Sequence, residues 1–259
     1  MNARRAFVQG AGRGVGLAVA ERLARAATAL AVGTRDDRPD LVEHLRSLGA
    51  PEVLAIRVDV TEPAAVRAAF AELATRWESL DVLVNVVGPP VERRPWEETP
   101  DDAWTSAFEL GVLSAVRTTR AALPLLRAAA PARVVNVSAL SATVQAAGIA
   151  AYSAAKAALN SVTKTMSVEL APHVLVNAVS PGAILSRRLE ESLAAAGRSP
   201  DDTTAAFELI RARHDLRGDL AKVATPDEVA AAICFLCSAD NSHITGVNLH
   251  VDGGTASPL

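Results

Sequence analysis

The chain has 259 residues, 50% of them hydrophobic and 21% charged, with a formal net charge of −3. That length can bury a large core in a single α/β domain, and the lack of any dense basic or acidic run points away from nucleic acid and membrane surfaces as partners. Aromatic residues, at 3%, are too few for a base-stacking surface.

The N-terminal stretch MNARRAFVQGAGRGVG is apolar only in short pieces cut by glycines. It predicts neither a signal peptide nor a membrane span, and a cytoplasmic location is expected. RAFVQ is the first strand candidate, and it leads into QGAGRGVGLAVAERLA, where Gly10, Gly12, Gly14 and Gly16 precede a helix. Glycines there permit a tight turn and close backbone approach to a pyrophosphate, and the helix N-terminus supplies amide donors and a positive dipole end. ALAVGT, the second strand, ends on Thr34 and Arg35 instead of an acidic residue. A small polar group followed by a guanidinium suits a ribose 2′-phosphate, with Arg13 as a second charge, so NADP(H) is favoured over NAD(H). An ion pair of Arg35 with Asp36 or Asp37 is the bland alternative.

Further strand candidates are EVLAIRV, DVLVNVV, ARVVNVS, HVLVNAV and GVNLHV. Helical patterns lie near 15–28, 39–48, 63–78, 102–130, 150–171 and 226–239. The strands are continuously hydrophobic, as befits strands covered on both faces, and their alternation with helices predicts one domain built on a parallel, doubly wound sheet. One polar, mixed segment, about 183–224, interrupts the rhythm after a strand. Its position predicts a lid over the carboxyl ends of the strands, with a surface helical hairpin as the alternative.

Tyr152 is the chain's single tyrosine and stands four positions before Lys156, one of three lysines, in YSAAK. The surrounding alanine-rich stretch predicts a helix, which puts the two side chains one turn apart on one face. A nearby ammonium favours the phenolate and draws the phenol toward neutral pH, where it can serve as a general acid or base. Other chemistry is poorly supported. Cys234 and Cys237 lie in an apolar helical pattern that predicts buried thiols, the five histidines lack metal-ligand spacing, and no G-x-S-x-G elbow is present. Arg93 and Arg94 follow the fourth strand and are candidates for an anionic substrate or a plain charged loop, while Trp96 and Trp104 are expected to be packing residues, with one of them an alternative pocket wall.

Taken together, the glycine turn, Asp59 in RVDVT, NVVG at 85–88, YSAAK, VNAVSPG ending at Pro181 and Gly182, and the terminal ITGVNLHVDGG make the chain similar to the short-chain dehydrogenase/reductase family along its whole length. The resemblance implies a Rossmann-like sheet, a nicotinamide cofactor and hydride transfer between it and a ketone or secondary alcohol. By the same resemblance Tyr152 would be the acid-base and Lys156 would hold the nicotinamide ribose. Gly10, Gly12, Gly14, Val15 and Gly16 would hold the pyrophosphate side, and Arg13, Thr34 and Arg35 the adenine ribose and its phosphate. Asp59 and Val60 would approach the adenine, Asn85 and Gly88 would shape the cofactor floor, and Pro181 and Gly182 would border the nicotinamide. A homotetramer or homodimer packed through the long helices is also implied, and no metal.

Four positions depart from the family pattern. Counting thirteen back from Tyr152 places Ala139 where the catalytic serine belongs, with Ser138 as the neighbour able to take the role after a one-residue shift and Ser141 as another hydroxyl nearby. Gly111 falls where a helical asparagine supports a proton path, leaving room for a water or a kink. Gln9 and Val86 replace the usual threonine and second asparagine. Besides the redox enzyme, two uses of the fold therefore stay open: a non-redox catalyst, isomerising or eliminating through Tyr152, and an inactive cofactor-binding partner protein.

Overall fold

The computed structural model describes residues 4–214 and 218–255. Seven parallel strands form one sheet in the order β3-β2-β1-β4-β5-β6-β7: β1 (Arg5–Gln9), β2 (Ala29–Thr34), β3 (Val53–Arg57), β4 (Val82–Asn85), β5 (Ala132–Val137), β6 (Val174–Pro181) and β7 (Asn248–Val251). Every strand candidate read from the sequence is present. The helices are α1 (Gly14–Arg25), α2 (Pro39–Ser47), α3 (Pro63–Arg76), α4 (Asp101–Phe108), α5 (Ser114–Ala128), α6 (Ala150–Glu169), α7 (Arg187–Ala195), α8 (Thr203–His214) and α9 (Pro226–Cys237).

Two apolar layers cover the two faces of the sheet. One joins Val8, Val32, Val84 and Val135 to α1 and α9 through residues such as Val19, Leu23 and Ile233. The other joins Phe7, Leu83, Val134 and Val176 to α3 and α5 through Phe70, Leu73 and Leu126, with the rings of Phe7 and Phe70 4.8 Å apart. Burial on both faces explains the absence of alternation in the strand sequences. Strand order reverses between β1 and β4, whose last residues, Gln9 and Asn85, lie opposite one another. A crevice at the carboxyl ends of the strands follows at that switch point.

The helical stretch expected as one piece near 102–130 is broken. Between α4 and α5 the backbone makes a π-helical turn, Glu109–Leu113, centred on Gly111. The segment between β6 and α9 carries α7 and α8 around a small cluster of its own, with Leu185, Leu193, Phe207 and Val223 buried. Its two ends are tied by a parallel bridge between Ile184 and Ala224; its residues 215–217 lie outside those described. Helix α9 is started by Thr225, whose side chain accepts from the Glu228 amide while the Glu228 carboxylate accepts from the Thr225 amide, a reciprocal capping box.

Candidate active site

At the nucleotide end, β1 runs through a glycine turn straight into α1. Gly10 and Gly14 adopt φ of +87° and +54°, conformations that disfavour a side chain. A Cβ on Gly16 would fall 2.0 Å from the Gly10 carbonyl oxygen, so no other residue fits where α1 crosses the turn. Arg13 is the extended N-cap of α1, but no side chain caps the helix and no acidic residue occupies its first turn. Val15 follows in that first turn. An uncapped helix N-terminus behind a cradle of glycines fits a bound pyrophosphate. Gln9, the substitute for the usual threonine, is accommodated by Gly33 of β2, where a Cβ would meet the Gln9 side chain at 2.3 Å.

Beyond β2, Thr34 donates its hydroxyl to the Asp36 carbonyl (2.8 Å), and Arg35 is exposed. Asp59 accepts from the hydroxyl and amide of Thr61 at 2.7 and 2.9 Å. Those two bonds, and then the positive charge of Arg35, hold its carboxyl below the usual range. Val60 is buried beside it. A residue that nothing in the sequence singled out, Arg38, donates to the Gly12 carbonyl at 3.0 Å and forks onto Asp40. Only its nearness to Arg35 in RDDRPD could have suggested it.

At the other end of the crevice, Tyr152 lies in the first turn of α6, and Lys156 follows one turn on, with only 3% of its surface exposed. The Lys156 ammonium donates to the Val137 carbonyl at the end of β5 (2.8 Å), and a Cβ on Gly88 would stand 2.7 Å from it. NVVG thus ends on glycine so that the lysine can lie against the loop after β4. Burial pushes Lys156 down to about 8 and pushes the Tyr152 phenol up. This corrects the expectation of a phenol drawn toward neutrality: in the protein alone, desolvation favours the neutral form of each group.

Ser138 does not take the place of the missing hydroxyl. Its amide continues the ladder to Val179, and its hydroxyl donates to the Lys156 carbonyl at 3.2 Å, deep in the chain. Ala139 follows in extended conformation at the start of the short turn Leu140–Ala142. The Ser141 hydroxyl is buried without a partner among the described residues. Asn85 is 4% exposed and turns into the core, donating to Thr119 and Asn136, so its side chain stiffens the ends of β4 and β5 instead of forming a floor. Pro181 closes β6, and the Gly182 amide donates to Val251 (3.0 Å).

Gly111 supplies the kink but not the room. The space beside it is filled by Ala155 and Pro89. Ala155 and Ala158 pack within the chain against Ala107 and Val112. A hollow of about 290 Å³ opens beside Tyr152, walled by Pro89, Pro90, Ile149, Ser106 and Arg94. Arg94 pairs with Glu92 (3.0 Å), and Arg93 donates to Ala147 (3.1 Å), which fastens this loop to the one before α6. A larger groove of about 870 Å³ runs along the free edge of β3, far from these groups. Trp96 is 71% exposed and Trp104 partly so, contrary to the packing role expected; the buried tryptophan is Trp77. Burial pushes Cys234 up to about 11 and Cys237 further, as inert thiols require. Among the described residues no cluster of metal ligands exists, and no helix is long and apolar enough to cross a membrane.

A strand-switch crevice with a glycine cradle at one end and a Tyr-x-x-x-Lys helix at the other defines a class of nicotinamide-dependent oxidoreductases. The chain belongs to the short-chain dehydrogenase/reductase family, which acts on CH–OH and C=O groups: residues 10–256 match a family profile described as enoyl-(acyl carrier protein) reductase. It is 34% identical to a cis-4-hydroxycyclohexanecarboxylate dehydrogenase of Sinomonas cyclohexanicum, over 97% of this chain and 96% of that one. It is 32% identical to the short-chain reductase protein NovJ of Streptomyces niveus, over 96% and 92%. The crystal structure of YwfH, an NADPH-dependent reductase involved in bacilysin biosynthesis, superimposes with a TM-score of 0.85 at 25% identity, covering 100% of both chains.

Proposed function

We propose that the protein is an NADP(H)-dependent oxidoreductase that moves hydride between its cofactor and a ketone or secondary alcohol. The observation that carries this is the placement of Tyr152 and Lys156 one turn apart on α6, the lysine buried against Gly88 in the crevice that begins at the uncapped α1. Gly10 to Gly16 hold the pyrophosphate. Arg35 and Arg13 meet the 2′-phosphate, Asp59 borders the adenine, and Gly88, Lys156, Pro181 and Gly182 enclose the nicotinamide riboside. Kinship with the NADPH-dependent YwfH supports the choice of cofactor. When bound, that cofactor supplies or accepts the hydride at the carbonyl carbon.

The chain's own work is the proton. Burial keeps the Tyr152 phenol protonated at neutral pH, the form that donates to the carbonyl oxygen during reduction. In oxidation the same oxygen must accept the alcohol proton, and the charged form of Lys156 lowers the cost of the phenolate. The hollow beside Tyr152 takes the substrate, and the segment carrying α7 and α8 closes over it as a lid. Ala139 offers no hydroxyl to the reacting oxygen, a loss of about 10² to 10³ in rate at comparable sites, so the substrate's own polar groups complete the arrangement. A cytoplasmic homodimer or homotetramer, working without nucleic acid or membrane, completes the proposal.

Fluorescence titration with NADPH and NADH, followed by cofactor-consumption assays over a panel of carbonyl compounds, tests it. NADPH should bind at least about tenfold more tightly, and Arg35→Ala should erase the difference. Tight binding with no consumption across the panel would overturn the redox role, and binding of neither nucleotide would overturn the cofactor.

A further inference from the structure

Arg117 of α5 lies on no predicted site, yet it reaches across to the loop after β3. Its guanidinium donates to the Thr61 carbonyl at 3.1 Å and to the Val60 carbonyl at 3.4 Å, and it forms a close ion pair with Glu109. The arginine side chain is 19% exposed. On the opposite side of the same loop, Asp59 accepts both bonds from Thr61 and faces the charge of Arg35. The loop is therefore held from two sides, by its own turn and by Arg117.

The ion pair depends on the π turn. In an ideal α-helix, residues eight apart are offset by about 80° around the axis, which would point Glu109 away from Arg117. A π turn accommodates about one extra residue, which brings the pair to the spacing of residues seven apart, within about 20° of one face. Two long side chains can span the rise that remains. The turn centred on Gly111 thus aligns Glu109 under Arg117 while its other side packs on Ala155, next to Lys156.

We propose that Arg117, with Glu109 as its counter-charge, is the positioning residue for the adenine-binding loop 59–61, and that the π turn serves cofactor affinity through this pair. The inference rests on the cofactor proposed above. The bonds of the Arg117 side chain run to Val60, Thr61 and Glu109 and not to Tyr152, Lys156 or Gly88, so its removal should be felt at the adenine end alone.

Isothermal titration of wild type, Arg117→Met, Arg117→Lys and Glu109→Gln is the test, with NADPH, 2′,5′-ADP and reduced nicotinamide mononucleotide as probes. Losing charge-assisted bonds to the two carbonyls should weaken NADPH and 2′,5′-ADP about tenfold in Arg117→Met and leave the mononucleotide within about twofold. KM for NADPH should rise in parallel while kcat at saturation holds. Arg117→Lys should recover part of the loss, and Glu109→Gln should show a smaller loss in the same direction. Unchanged binding of 2′,5′-ADP, or equal weakening of both fragments, would overturn the inference. Should Arg117→Met fail to fold, Glu109→Gln decides by the same fragment comparison. A wild-type chain that binds no dinucleotide removes the cofactor proposal itself. Faster amide exchange over residues 58–62 in free Arg117→Met would then still report the clamp.

Discussion

A Cβ placed on Gly111 would stand 2.9 Å from the Cβ of Ala155 and 3.4 Å from the Cδ of Pro89. The glycine is therefore matched to two neighbours, one on α6 and one on the loop after β4. Gly111→Asn should overpack this junction and destabilise the protein by about 1–3 kcal/mol, without raising turnover. Adding Pro89→Ala should recover part of the stability. Thermal unfolding with an activity assay decides, and a Gly111→Asn protein as stable as wild type would contradict the packing seen here.

Tyr152→Phe keeps the ring and removes the proton. Turnover should fall by about 10² to 10⁴ with NADPH affinity within about twofold. Steady-state kinetics beside a fluorescence titration separates the two quantities, and unchanged turnover would remove Tyr152 from the mechanism.

Ala139→Ser places a hydroxyl where the family resemblance implies the catalytic serine, on a residue that is buried and in extended conformation. Activity on simple ketones should rise by about 10², the reverse of losing one donor at such sites. A fall measured on the same ketones would mean that the native substrate occupies that space.

Lys156 gives a pH signature that does not need substrate. Its folded value of about 8 lies below the ordinary 10.5, so between those values the unfolded chain binds more protons and stability rises with pH. Below 8 both states carry the charge, and the native state bears the full cost of burying it, about 3 kcal/mol. Lys156→Met escapes that cost. It should be more stable than wild type at pH 7, and the gap should narrow by about 1–2 kcal/mol from pH 8 to 9.5. Tyr152, pushed upward, stabilises the fold below its ordinary value of 10 and loses that effect only above it, outside this window. Chemical denaturation of both proteins at several pH values is the measurement, and a pH-independent gap would refute it.

The architecture was legible because each strand carries its burial in its composition. ALAVGT or ARVVNV can be satisfied only with both faces covered, and seven such runs separated by helices leave a parallel sheet as the outcome. The glycine turn was legible for a similar reason: Gly16 answers to a backbone approach of its own neighbourhood, and such local constraints are written in local residues. The π turn was not. That the kink leaves no room for a water follows from the packing of Gly111 against Ala155, 44 positions away, and no periodicity within residues 102–130 encodes that contact.

Sequence alone determined the sheet, its helices, the pairing of Tyr152 with Lys156 on one helical face and the family to which they belong, because those depend on spacing and hydrophobic pattern along the chain. Tertiary structure alone decided that Ser138 turns to the Lys156 carbonyl, that burial pushes the Tyr152 phenol up, and that Arg38 and Arg117 reach the loops after β1 and β3. A side chain's direction, its desolvation and its distant partners arise only when separate segments are brought together, and free energies of that kind have no local signature.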